Sequence, residues 1–195
     1  MYYPRIDNEI DGLVAYLEVQ LDALRESAHG LTEEQARLRP CRSALSIGGL
    51  IKHATFVMDG VLGERRSPTQ DTDSPAWEQL AAQFYGSFAL TDDESLQGAL
   101  EAFDATRAAY LAEVRGADPD EVVLVGPAPW DGVLEPVEVA RRYSLVHHVE
   151  ELARHAGHAD IIREQIDGAT GPALHLAARG LPGNDFVQPW TPAAI

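Results

Sequence analysis

Residues 147–160 read HHVEELARHAGHAD and put metal-ligand side chains on one helical face. His147, Glu151 and His155 follow at i, i+4 and i+8, and side chains four apart on a helix point to the same side. A carboxylate and an imidazole at that spacing bind one ion without bending the backbone. Tyr143 above and Ile162 and Ile166 below make the rest of the stripe apolar, so these ionisable groups face burial. Buried, they are costly unless paired or coordinated. Four of the chain's seven histidines fall within this stretch, and a metal site is the first expectation.

A site of this kind draws ligands from more than one element. Outside the stretch the best candidate is His53, which replaces an apolar residue on the face shared by Leu50, Val57 and Val61. His53, Glu151 and His155 together form a three-ligand set with a position left for water or substrate, the pattern of catalytic rather than structural metal sites. His147, one turn earlier, stays open as a ligand, a support for one or a substrate contact. His158 lies at the lower edge, His148 points away to the surface, and His29 and His175 read as solvent-facing. Each ligand also has a plainer reading: His53 as a hydrogen-bonded core histidine, Glu151 with His155 as a solvated helical ion pair.

The elements that must position these groups are four long helices, near 5–28, 46–65, 92–115 and 137–166. The first carries Ile6, Ile10, Leu13, Leu17, Leu21 and Leu24 at helical steps and stops near Gly30. Thr32 to Gln35 reads as the cap and first turn of a short helix ended by Pro40. Ser46 is a good N-cap for the second long helix, and Gly48-Gly49 at its start reads as close packing more than as an anion site. Residues 67–74 are a loop by composition, and 75–90 are ambiguous, with a short helix around Trp77 and Leu80. Thr91, with acidic residues after it, can cap the third helix. Pro136 suits the first turn of the fourth, which Asp167-Gly168 ends. Residues 116–136 form a Gly-, Pro- and Asp-rich connection with room for two short strands, a type that often carries function. The expectation is an all-α, up-down four-helix bundle over 1–168, with an irregular or β-hairpin connection before the last helix. A C-terminal tail, 169–195, packs on it.

Composition bounds the partners. The 195 residues are 45% hydrophobic with a net charge of −16 and a pI near 4.6. That balance argues against nucleic acid and anionic membranes, whose phosphates require clustered Lys and Arg. Cys41 is the one cysteine, so an internal disulfide and a thiolate zinc cluster are both excluded. It sits between Pro40 and Arg42 outside any nucleophile motif. There is no signal-peptide pattern and no apolar run of membrane-spanning length, and a soluble, cytoplasmic protein is expected. Nucleophile-elbow, P-loop and dinucleotide fingerprints are absent.

SALSIGGLIKHATFVMDGVLGER and HHVEELARHAGHADIIREQIDG together resemble the DinB/YfiT-like family of four-helix metalloproteins. They look most like its actinobacterial branch, which includes mycothiol-dependent S-transferases and maleylpyruvate isomerase. The resemblance covers about residues 5–168, and its most specific part is E-x-x-x-H-x-G joined to D-x-x-R-E-x-x-D-G. It implies one metal ligand from the second helix and two, four apart, on the last, which carries onto His53, Glu151 and His155. Many members have histidine at the position of Glu151, whereas the isomerase branch resembles this chain. The resemblance also implies a divalent metal, zinc or sometimes nickel, and in some branches a low-molecular-weight thiol as cosubstrate.

The leading expectation is a metal-dependent enzyme using a mycothiol-like thiol for S-transfer to, or isomerisation of, a small electrophile. The alternatives are a metal-dependent hydrolase of a small ester or amide and a non-catalytic metal or small-molecule binding protein. Arg154 and Lys52 flank the ligands as candidate carboxylate holders. Trp130 and Trp190 are large loop side chains expected to wall a cleft or to pin their loops. A homodimer contact through the 116–136 connection and Ile195 stays open.

Overall fold

The computed structural model describes residues 8–63 and 75–192. The expectations for residues 5–7, 64–74 and Ile195 lie outside them, as do those for the side chains of Trp77 and Leu80. The elements are α1 (Glu9–Ser27), α2 (Glu33–Arg37), α3 (Ile47–Gly63), α4 (Pro75–Gly86), α5 (Leu96–Arg115), β1 (Val122–Val125), β2 (Val137–Ala140), α6 (Arg141–Asp167) and α7 (Gly171–Ala178). The fold is an all-α bundle with one small hairpin.

Local chemistry sets most helix starts. Asn8 caps α1, its Oδ1 accepting the Asp11 amide at 2.9 Å. Thr32 and Gln35 form a reciprocal capping box on α2. The Ser46 hydroxyl accepts the Gly49 amide at the start of α3. Two starts differ from the sequence reading. Ser95, not Thr91, caps α5, because the Thr91 amide donates to the Glu94 carboxylate in a turn of its own. The last long helix begins at Arg141 rather than just after Pro136. Residues 137–140 instead pair antiparallel with β1, Val122 opposite Ala140 and Val125 opposite Val137, and β-branched residues favour that extended pairing. The ambiguous segment yields α4, and the tail contains α7.

The long helices α1, α3, α5 and α6 enclose one core, with Leu17, Leu21, Ile51, Met58, Phe103 and Leu152 among its buried side chains. Ion pairs give the helix directions. Arg25 meets Asp104 at 3.0 Å, Arg107 meets Asp22 at 2.6 Å, and Arg115 meets Glu18, so α1 and α5 are antiparallel. Arg142 at the start of α6 meets Glu9 at the start of α1, and Arg163 near the end of α6 meets the end of α1. These two neighbours therefore run the same way, and strict alternation around the ring is broken at that pair. At the start of α3, a Cβ on Gly49 would collide with the Phe88 carbonyl oxygen. That close approach is why Gly48-Gly49 is small. No helix among the described residues is long and apolar enough to cross a membrane.

Arg163 has no exposed surface. Its guanidinium donates to both Asp167 carboxylate oxygens and to the carbonyls of Ser27 and His29, each carbonyl at 2.7 Å. Trp190 from the tail covers its other face, 4.7 Å from guanidinium carbon to ring centroid. The same indole lies against Gly30, whose φ of 72° and contact distance both require glycine. Replacing Arg163 by Met leaves two carbonyls without their donor and the Asp167 carboxylate with only the Ala169 amide. It is expected to cost about 3–5 kcal/mol of unfolding free energy in urea titrations. A loss below about 1 kcal/mol would show that the clasp is dispensable.

Candidate metal centre

His53, in the second turn of α3, and Glu151 and His155, in the middle of α6, converge where those helices pack. One ligand atom from each lies within 4.8 Å of the others. Glu151 Oε1 stands between the imidazoles, 2.9 Å from His155 Nε2 and 3.4 Å from His53 Nε2. The histidine side chains are 1% and 10% exposed, against 27% for Glu151, so solvent reaches the cluster over the carboxylate. Hydrogen bonds from His155, then from His53, hold the Glu151 carboxyl well below the usual carboxylate range.

Both histidine rings are oriented from behind. Ser87 Oγ lies 2.8 Å from His53 Nδ1 and 2.6 Å from the Phe84 carbonyl oxygen. Phe88 stacks on His53 with centroids 3.8 Å apart and planes 19° apart, and Phe84 meets it edge-on at 5.8 Å. His158 Nδ1 is 3.4 Å from His155 Nδ1. Two imidazole nitrogens and one carboxylate oxygen aimed at a shared point fit a divalent cation, the nitrogen and oxygen donors that zinc and nickel accept. Positive charge at that point satisfies all three groups at once.

The other sequence candidates divide. His158 touches His155 from the exposed side, and burial is the first cause lowering its pKa, followed by His155 and Arg154. Trp130 is 72% exposed but stacks on Phe84 at 6.1 Å, so the 116–136 connection reaches the aromatic wall beside His53. His147 is outside the cluster, exposed and 3.4 Å from Glu150. The helix explains this: a face drifts by about 40° for every four residues at 3.6 residues per turn. Tyr143 is likewise exposed. Arg154 is exposed and paired with Glu150, while Lys52 is held by Glu94 and the Ala89 carbonyl. Trp190 belongs to the Arg163 clasp and not to the cluster.

Three histidines expected at the surface are elsewhere. His148 is 8% exposed and 3.3 Å from the Tyr110 hydroxyl, because seven residues before His155 is almost the same helical face. His29 is half-buried under the edge of Trp190, and His175 pairs with Glu26 at 3.0 Å. Cys41 packs half-buried at the core's edge. Ser87, Phe84 and Phe88 escaped the sequence reading. Their one signal was the aromatic pair four apart in FYGSF.

A cavity of about 620 Å3 lies between α3, α4 and the start of α5. Phe56 and Ser87 belong to its wall, but His53, Glu151 and His155 do not. Ser87 thus separates this space from the His–Glu–His cluster.

The fold and this cluster define an all-α bundle with a His–Glu–His site compatible with a metal ion. The chain belongs to the mycothiol-S-transferase family, whose model matches residues 12–168. The match ends at Gly168, one residue past α6, and includes all three cluster residues. No curated protein matches the chain.

Burial holds the His148 pKa down to about 4, with His147 adding repulsion, against 6.5 for a free imidazole. Between those values the unfolded chain binds the proton and the folded chain does not, so stability falls as pH is lowered through that window. Between pH 7 and pH 4 the wild type is expected to lose about 3 kcal/mol more than His148→Gln. Urea midpoints at the two pH values measure the difference, and parallel losses in the two proteins would contradict it.

Proposed function

We propose that this protein is a divalent-metal-dependent enzyme that uses a mycothiol-like thiol in S-transfer to, or isomerisation of, a small electrophile. The carrying observation is the convergence of His53, Glu151 and His155 in a chain of the mycothiol-S-transferase family. Zinc suits the donor set best, and nickel also fits. A cation bound there supplies the positive charge that lowers a thiol's pKa and favours its nucleophilic form.

The chain's own residues do the rest. His53 and His155 present ring nitrogens, and Glu151, kept ionised by its neighbours, offsets the cation's charge. Glu151 is also the exposed edge over which a thiol enters. Phe84 and Trp130 provide an apolar wall for the body of a small electrophile. In S-transfer the thiol loses its proton to solvent, sulfur bonds to the electrophilic carbon, and the leaving group departs with its electron pair. The sulfur nucleophile comes with the cosubstrate, consistent with a lone cysteine packed against the core. Such a thiol stays reduced in the cytoplasm, where we place the protein. The acidic surface leaves small molecules, not nucleic acid, as the partners.

Purified protein reloaded with zinc is expected to hold one ion per chain by elemental analysis, and His155→Ala to lose most of it while remaining folded. With cobalt in place of zinc, mycothiol should add sulfur-to-metal charge-transfer bands. Stoichiometric metal without such bands at saturating thiol would reject the thiol reading in favour of hydrolysis or binding alone. Failure to take up metal would reject the site itself.

A further inference from the structure

We propose that Ser87 is a positioning residue that locks the tautomer of His53, so that this ligand offers Nε2 to the metal. The inference rests on the metal reading above and concerns a residue outside the ligand set.

The hydrogen placement follows from the partners. A serine hydroxyl has one proton. The 2.6 Å contact between Ser87 Oγ and the Phe84 carbonyl oxygen is attractive only with that proton between them. Ser87 therefore has only lone pairs to offer His53 Nδ1 at 2.8 Å, and the imidazole must donate. With its Nδ1 proton held by Ser87, His53 can surrender the Nε2 proton that Glu151 Oε1 attracts in the absence of a cation, and it then offers the Nε2 electron pair at the point shared with Glu151 and His155. Support of this kind behind a ligating histidine fixes both ring orientation and basicity, and its loss typically weakens metal binding 10–100-fold.

The local structure makes the lock firm. Ser87 is 2% exposed and follows the last turn of α4, its amide donating to Gln83 and Phe84 carbonyls. Phe88, the next residue, stacks on the same imidazole. Ring plane and ring rotation of His53 are therefore set by two consecutive residues of one turn. That turn is pressed against α3 by the contact of Gly49 with Phe88.

A helix-end serine can also act only as a cap, and an isosteric pair separates the roles. Ser87→Thr keeps the hydroxyl and Ser87→Val replaces it by methyl, and the cavity beside Ser87 leaves room for the added group. The His53 tautomer is read in metal-free, histidine-labelled protein by nitrogen–proton correlation NMR. Zinc affinity is read by competition with a chromophoric chelator. Wild type and Ser87→Thr should show the Nδ1-protonated form and similar affinities. Ser87→Val should show a mixture of tautomers and bind zinc about 10–100-fold more weakly than Ser87→Thr. Equal zinc affinity and an unchanged tautomer in Ser87→Val would overturn the proposal, because loss of a cap alone moves neither readout. A wild type that takes up no zinc fails the metal reading instead, and the tautomer comparison still decides whether Ser87 locks His53.

Discussion

A guanidinium without exposed surface sets the position of the helix that carries most of the site. Arg163 reaches from α6 to the carbonyls that end α1, and its remaining donors are occupied by Asp167 one turn further on. A buried cation so placed is tolerated only when its hydrogen bonds are made and its charge is paired, which permits one axial register of α6 against α1. Arg142 and Glu9 tie the other end of the same pair. Glu151 and His155, midway between these ties, are carried to the level of His53. The site thus depends on a contact that contains none of its residues.

The second constraint is how closely α3 approaches the chain that follows α4. Glycines at 48 and 49 let the α3 backbone approach Leu90 and the Phe88 carbonyl, space that a Cβ would occupy. That approach brings Ser87 to the Nδ1 edge of His53, away from the Nε2 that faces Glu151, and stacks Phe88 on the face of the ring. A histidine held by a stack and a hydrogen bond would have little rotamer freedom left to lose on binding a cation, which is the basis of preorganisation. The carboxylate is the exception, being partly open to solvent. Rigid nitrogens behind and an accessible oxygen in front describe a centre with one direction of approach.

Around this centre the chain supplies apolar rings more than charges. Arg154 and Lys52, the nearby cations, are committed to Glu150 and to Glu94. Phe84, Phe88, Phe56 and Trp130 form the lining near His53. Under the proposed function, such a lining would strengthen electrostatic effects at a cation held there and would suit a neutral or weakly polar substrate body.

Much of this was legible in the chain itself. Apolar steps of three and four fix the four long helices, because a helix must bury one face. Capping residues mark several of their starts. A histidine on an apolar face of α3 and an E-x-x-x-H pair on α6 are costly to bury alone, so His53, Glu151 and His155 stood out before any geometry. What tertiary structure decided was angular and long-range. His147 and His148 are adjacent in sequence, yet their exposure is settled by which neighbours α6 meets: His148 faces Tyr110, and His147 faces solvent. Val137 to Ala140 became a strand because Val122 to Val125 was there to pair with it, against the helical signal of Pro136. Trp190 covers Arg163, and Ser87 meets His53, only because distant segments are folded together. Sequence determines which groups need partners; the packing of helices determines which partners they get, since direction and register depend on contacts made far along the chain.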